Sequence, residues 1–136
     1  MIQPIMKDVL FLGQKSEKAT EQDRQIFTDL RDTLSAHRDH CVGMAANMIG
    51  QKKRVIIVSL GLVDMVMINP EIIQKSQPYE TEEGCLSLQG VRKTTRYRKI
   101  KVRYQDESFT EHTQEYEGHV AQIIQHECDH LEGIII

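Results

Sequence analysis

The run His126-Glu127-Cys128-Asp129-His130 constrains this chain more than any other segment. On a helix, positions i and i+4 share a face, so His126 and His130 can offer two imidazole nitrogens to one metal ion. Glu127 follows the first of them directly and can hold a carboxylate near a metal-bound water. None of the six residues after His130 is a His, Cys or Asp, and Glu132 sits badly for the same ion. A third ligand is therefore expected upstream, which excludes the common protease arrangement in which it lies downstream of the helix. The upstream candidate is Cys85, within Glu82-Glu83-Gly84-Cys85-Leu86-Ser87. Gly84 would let the backbone bend to present its thiolate. Any fold for this chain has to bring that segment to the His126 helix.

A chain of 136 residues is read as a single domain, 1–136, long enough to bury a core without disulfides. Charged residues make up 27% and apolar ones 40%, a globular rather than a disordered composition. Seventeen basic and twenty acidic side chains give a formal charge of -3, and no reason to expect direct binding to nucleic acid or to an acidic membrane. Arg92, Lys93, Arg96, Arg98, Lys99, Lys101 and Arg103 form a local basic run, read as a solvated strand and turn rather than a phosphate site. The apolar stretches are too short to span a bilayer and no signal peptide opens the chain, so the expected address is the cytoplasm. Three cysteines cannot all pair. A metal ligand (Cys85), a core residue (Cys128) and a spare thiol (Cys41) is a sensible division in a reducing compartment. Cys128 follows His126 by two residues and so points roughly 200° around the helix, away from any metal.

Hydrophobic spacing gives the elements. Val9-Leu10-Phe11-Leu12 reads as a short strand or extended packing segment. Thr20 and Asp23 form a loose capping signal, and Ile26, Phe27, Leu30 and Leu34 predict a helix from about 21 to 37 that covers a sheet. The small, apolar run 41–46 suits close backbone approach. Strands are expected over Val55–Leu60 and Val63–Ile68, the second ended by Asn69-Pro70, with Ile72 and Ile73 beginning another. Ile100, Val102 and Tyr104 alternate with Lys101 and Arg103, which predicts a strand with one wet face. Phe109 to Tyr116 is its expected hairpin partner across an Asp106-Glu107-Ser108 turn. Gly118 opens a second helix and Gly133 is placed to cap it, while Ile134-Ile135-Ile136 is expected to join a sheet edge. The sum is an α+β domain, antiparallel strands packed around a central, metal-bearing helix, with a second helix over the sheet.

Gly43-Met44-Ala45-Ala46, Glu83-Gly84-Cys85-Leu86-Ser87 and Gln125-His126-Glu127-Cys128-Asp129-His130-Leu131, in this order and spacing, resemble the three motifs of the bacterial peptide deformylases. The resemblance covers the chain from about residue 24 to its end. It implies that Cys85, His126 and His130 bind a divalent metal, ferrous iron foremost with zinc or nickel also accepted. Glu127 would act as general base and then acid, and the backbone N–H of Leu86 would help hold the oxyanion. Val42, Gly43, Met48, Arg92, His119, Gln122 and Ile123 would contact substrate, with Arg92 on the peptide. The implied reaction removes the formyl group from N-terminal formylmethionine of new polypeptides, with the ribosome as a candidate place of action.

The chain also departs from that pattern. Met48 stands where the family has a glutamine that donates to the oxyanion, and a thioether cannot donate. Asn47, about 100° away on a helix, and Gln51, one turn further on, are the candidate substitutes. His119 and Gln122 replace large apolar residues of the methionine pocket and make that wall wetter, unless they rotate to solvent. Cys41 replaces a glycine, and Gln89 a usual proline. Arg96 fits a structural arginine paired with Asp129 or Glu83. Three readings remain open: a deformylase of reduced or altered activity, a deacylase on another N-acyl substrate, and a non-catalytic metal- or peptide-binding homologue.

Overall fold

The structure, a computed structural model, describes residues 1–134, with the backbone alone at 88 and 89. Five antiparallel strands, β1 (Gly43–Ala45), β2 (Val55–Ser59), β3 (Asp64–Cys85), β4 (Leu88–Gln105) and β5 (Glu111–Glu117), pair in simple sequence order. Helices α1 (Val9–Leu12), α2 (Arg24–Ala36) and α3 (Gly118–Leu131) complete the fold. The expected α+β arrangement stands.

Helix α2 begins where the sequence places it. Thr20 Oγ1 accepts the Gln22 N–H, the Asp23 carboxylate accepts the Thr20 N–H, and a 3-10 turn over Glu21–Asp23 leads into the helix. Its apolar stripe of Ile26, Phe27, Leu30 and Leu34 is buried in the same core as β2 and α3. The charged face points outward, with Arg31 paired to Glu107 and Arg24 stacked on Phe109.

Two expectations are corrected. Val9–Leu12 is a helical turn rather than a strand, because the Asp8 carboxylate accepts the Leu10 N–H at 3.0 Å and caps it. Asn69-Pro70 does not end a strand. β3 runs through it with register shifts between Ile68 and Glu71 and between Ile72 and Gln74. Asn69 takes a positive φ of 52°, which asparagine tolerates, and its side chain bonds both backbone groups of Ala19 and the Gln105 side chain. Proline's missing N–H costs little where the ladder is already interrupted.

The β3–β4 hairpin matters most for the site. It folds back at Leu86-Ser87, with Cys85 opposite Leu88, so Cys85 sits at the hairpin's end beside α3. The basic run lies along β4 and is mostly solvated, as expected, with Arg103 paired to Glu71 at 2.9 Å and Arg98 over Tyr79. Arg96 is the exception, 3% exposed and turned inward.

Helix α3 is buried along most of its length, including His126, Glu127 and His130. Cys128 is 8% exposed, within the core as expected. Gly133, at φ 77°, closes the helix: its N–H reaches the His130 carbonyl and the Ile134 N–H reaches the Asp129 carbonyl. The expected edge strand at 134–136 otherwise falls outside the described residues.

Candidate active site

Three elements converge at one end of a cavity of about 520 Å³. The hairpin end brings Cys85 and Leu86, α3 brings Gln122, Ile123, His126 and Glu127, and β1 with its flanks brings Val42, Gly43 and Met48. One ligating atom each from Cys85, His126 and His130 lies within 4.8 Å of the others. His130 Nε2 faces His126 Nε2 at 3.0 Å.

A carboxylate cluster fixes this geometry. The Nδ1–H of His126 donates to Glu83 Oε1 at 2.7 Å, leaving Nε2 for a metal. Glu83 is held in turn by Arg96, whose Nε lies 3.0 Å from Oε2 and whose Nη2 lies 2.7 Å from Oε1. Arg96 Nη1 also donates to Asp129 at 2.6 Å, so both predicted partners of Arg96 are used. The other end of α3 is pinned as well: Asn47 Nδ2 donates to the His130 carbonyl at 2.8 Å and the Ser16 N–H to that of Leu131 at 2.8 Å. Gln125 exchanges both its amide groups with the backbone of Tyr97, each at 2.8 Å, tying the helix to β4.

Charge follows from these contacts. Burial would raise the Glu83 carboxyl, but hydrogen bonds from His126, Arg96 and Gln122 outweigh it and hold it at about 2. Burial pushes His130 down to about 3, with the neighbouring His126 adding to the effect, so its imidazole is neutral and fit to ligate. Burial also lowers His126, yet hydrogen bonding with Cys85 and Glu83 wins and raises it to about 10. The proton it retains is one that a bound cation displaces. Burial lifts Glu127 to about 7 against the pull of His126, and its Oε1 is buried without a partner among the described residues. Soft sulfur, two imidazoles and an orphaned carboxylate oxygen beside them suit a divalent ion with one position left for water.

The departures from the family pattern now have positions. Met48 is 1% exposed, lines the cavity, and its Sδ accepts the Ala45 N–H at 3.4 Å. Neither proposed substitute lines the cavity: Asn47 gives an N–H to the His130 carbonyl, and Gln51 is exposed. Gln122 has not rotated to solvent, since its Nε2 donates to Glu83 Oε2 at 2.9 Å. His119 is exposed at the cavity's mouth, with His40 and Cys41 also in the lining. Arg92 lies on β4 opposite Glu83, outside that lining. Sequence reasoning missed His40 and Gly90 in the wall, and the bond from Asn47 to α3.

Gly43 carries the close approach expected of its segment. A Cβ there would lie 2.5 Å from Ile123 Cγ2, 3.0 Å from Glu127 Oε2 and 3.3 Å from the Ile57 carbonyl. Gly43→Ala is expected to destabilise the protein by about 1–3 kcal/mol through overpacking. Thermal unfolding measures it, and an unchanged Tm would show that Ile123 yields freely.

The chain matches the model of the polypeptide deformylase family over residues 2–136. It belongs to that family. A peptide deformylase of Clostridium beijerinckii is 59% identical to it over all 136 residues, the full length of both chains. Peptide deformylase 1 of Clostridium perfringens is 41% identical over 110 residues, 79% of this chain and 74% of the relative. Among solved structures, the Met-Ala-Ser-bound class I type b peptide deformylase from Acinetobacter baumannii superposes with a TM-score of 0.89 at 28% identity, covering 99% of this chain and 96% of that one. The peptide deformylase of Thermotoga maritima gives the same TM-score and identity, over 99% and 95%. The fold is thus the peptide deformylase fold, and the activity is metal-dependent amide hydrolysis that removes the formyl group from N-terminal methionine. The rival readings of the sequence, another N-acyl substrate or no turnover, are not favoured.

Proposed function

We propose that this deformylase works through a divalent ion held by Cys85, His126 and His130, with Glu127 moving the proton. The observation that carries this reading is the convergence of the three ligating atoms, two of them on buried histidines, beside a carboxylate oxygen that has no protein partner among the described residues. A bound divalent ion supplies Lewis acidity there and makes water nucleophilic near neutral pH. Glu127 accepts a proton from the water that attacks the formyl carbon, then delivers it to the departing amide nitrogen as the C–N bond breaks. The products are formate and a free N-terminal amine. Leu86 contributes its backbone N–H to the oxygen that gains charge, and Val42, Gly43 and Ile123 border the substrate.

Ferrous iron is the expected ion in the cell, and the sulfur and nitrogen set also accepts zinc or nickel. The chain acts as one domain in the cytoplasm, on formylated N-termini at the ribosome or after release, without contacting nucleic acid itself. No helix among the described residues is long and apolar enough to cross a membrane.

The test is formate release from an N-formylmethionyl peptide by protein loaded anaerobically with ferrous iron and assayed for bound metal. Turnover by metal-replete protein supports the assignment, and its absence overturns it. Glu83→Gln is expected to weaken metal affinity by about 10–100-fold, because the carboxylate that orients His126 loses its charge. Chelator competition measures this, and an unaltered affinity would mean that α3 alone fixes the imidazole.

A further inference from the structure

Resting on the formyl-amide reading above, we propose that this cavity accepts formyl peptides whose first side chain ends in a hydrogen-bond acceptor, methionine sulfoxide foremost, with Gln122 as the residue that sets this tolerance. From His126, α3 runs back through Ile123 and Gln122 to His119, and these three line one wall of the cavity at helical spacing. The formyl carbon sits at the Cys85, His126 and His130 cluster. The side chain borne by the residue on the formyl nitrogen therefore meets this wall within one or two turns of the helix.

Gln122 cannot leave the wall without breaking its bond to Glu83. An amide has two N–H groups and one carbonyl. One N–H is spent on Glu83, and among the described residues no protein partner takes the second N–H or the carbonyl. His119, exposed at the mouth, adds a further polar group beside them. An aliphatic wall would strip water from a sulfoxide oxygen and return nothing, whereas an N–H of Gln122 can replace that water. The unoxidised thioether, conversely, leaves the amide's remaining groups unpaired once water is excluded. Both effects narrow the gap between the two substrates.

The experiment compares kcat/KM for formyl-Met-Ala-Ser and the same peptide bearing methionine sulfoxide, using ferrous-loaded wild type and Gln122→Leu. Wild type is expected to handle the two within about tenfold of each other, and Gln122→Leu to shift the ratio against the sulfoxide by about tenfold or more. The ratio is internal to each protein, so a general loss of activity or of metal in the variant does not obscure it. Calorimetric affinities for the deformylated products, Met-Ala-Ser and its sulfoxide, are expected to move in the same direction. Discrimination against the sulfoxide beyond about 100-fold in wild type, or a ratio that Gln122→Leu leaves unchanged, overturns the inference. If metal-replete protein hydrolyses neither peptide, the formyl-amide reading fails instead, and the product affinities still decide the character of the wall.

Discussion

Glu127→Ala is expected to lower formate release by about 10²–10⁴-fold while leaving the bound metal in place. The two halves of that result come from different atoms. Cys85, His126 and His130 form the cluster without Glu127, and the carboxylate that orients His126 belongs to Glu83. Glu127 itself is 4% exposed, with one oxygen unpartnered among the described residues and its carboxyl raised by burial to about 7. Burial that raises a carboxylate's affinity for protons helps it take one from water and give it back within one turnover, which a fully ionised surface glutamate does poorly. Glu127→Gln keeps the shape and removes the base, so it should lose as much activity as the alanine variant. It also removes a buried charge, and its Tm is expected to be no lower than that of wild type. Metal content, formate release and thermal unfolding on the three proteins check this. An alanine variant with near wild-type turnover would remove Glu127 from the mechanism.

The candidate site was legible in the sequence because its two histidines and glutamate lie within five residues on one helix, where spacing fixes their relation. What supports them was not. The partner of His126 lies 43 residues away, Gln122 reaches Glu83 across 39, and Asn47 reaches His130 across 83. Only the pairing of β3 with β4 brings Glu83 to α3, and no local pattern encodes that register. The same limit explains β3. Asn69-Pro70 carries the local mark of a strand end, yet contacts with Ala19 and Gln105 turn it into a bulge within a longer strand. Arg96 shows the reverse case: within the run of seven basic residues only the family resemblance picks it out, and it is the one that is buried, against Glu83 and Asp129.

Met48→Gln is expected to raise kcat on formyl-Met-Ala-Ser by up to about 10²–10³-fold, the range attached to a single oxyanion donor. Met48 already lines the cavity, and its sulfur accepts the Ala45 N–H. A glutamine at this position can give its carbonyl oxygen to that N–H and aim its amide N–H at the reacting oxygen, at almost the same side-chain length. Neither Asn47 nor Gln51 stands in the way as an existing donor, since neither lines the cavity. Because the new bond forms only as charge develops, the gain should fall on kcat and leave KM nearly unchanged. A fall in KM with kcat constant would mean the amide binds the ground-state carbonyl instead. No change in either would mean that another group already serves the oxyanion. Donors in the lining would then include the Leu86 N–H and the imidazole of His40. His40→Ala in the wild-type background separates the two. A large loss there would place the missing donor on the segment before β1, ahead of the motif position that Met48 occupies.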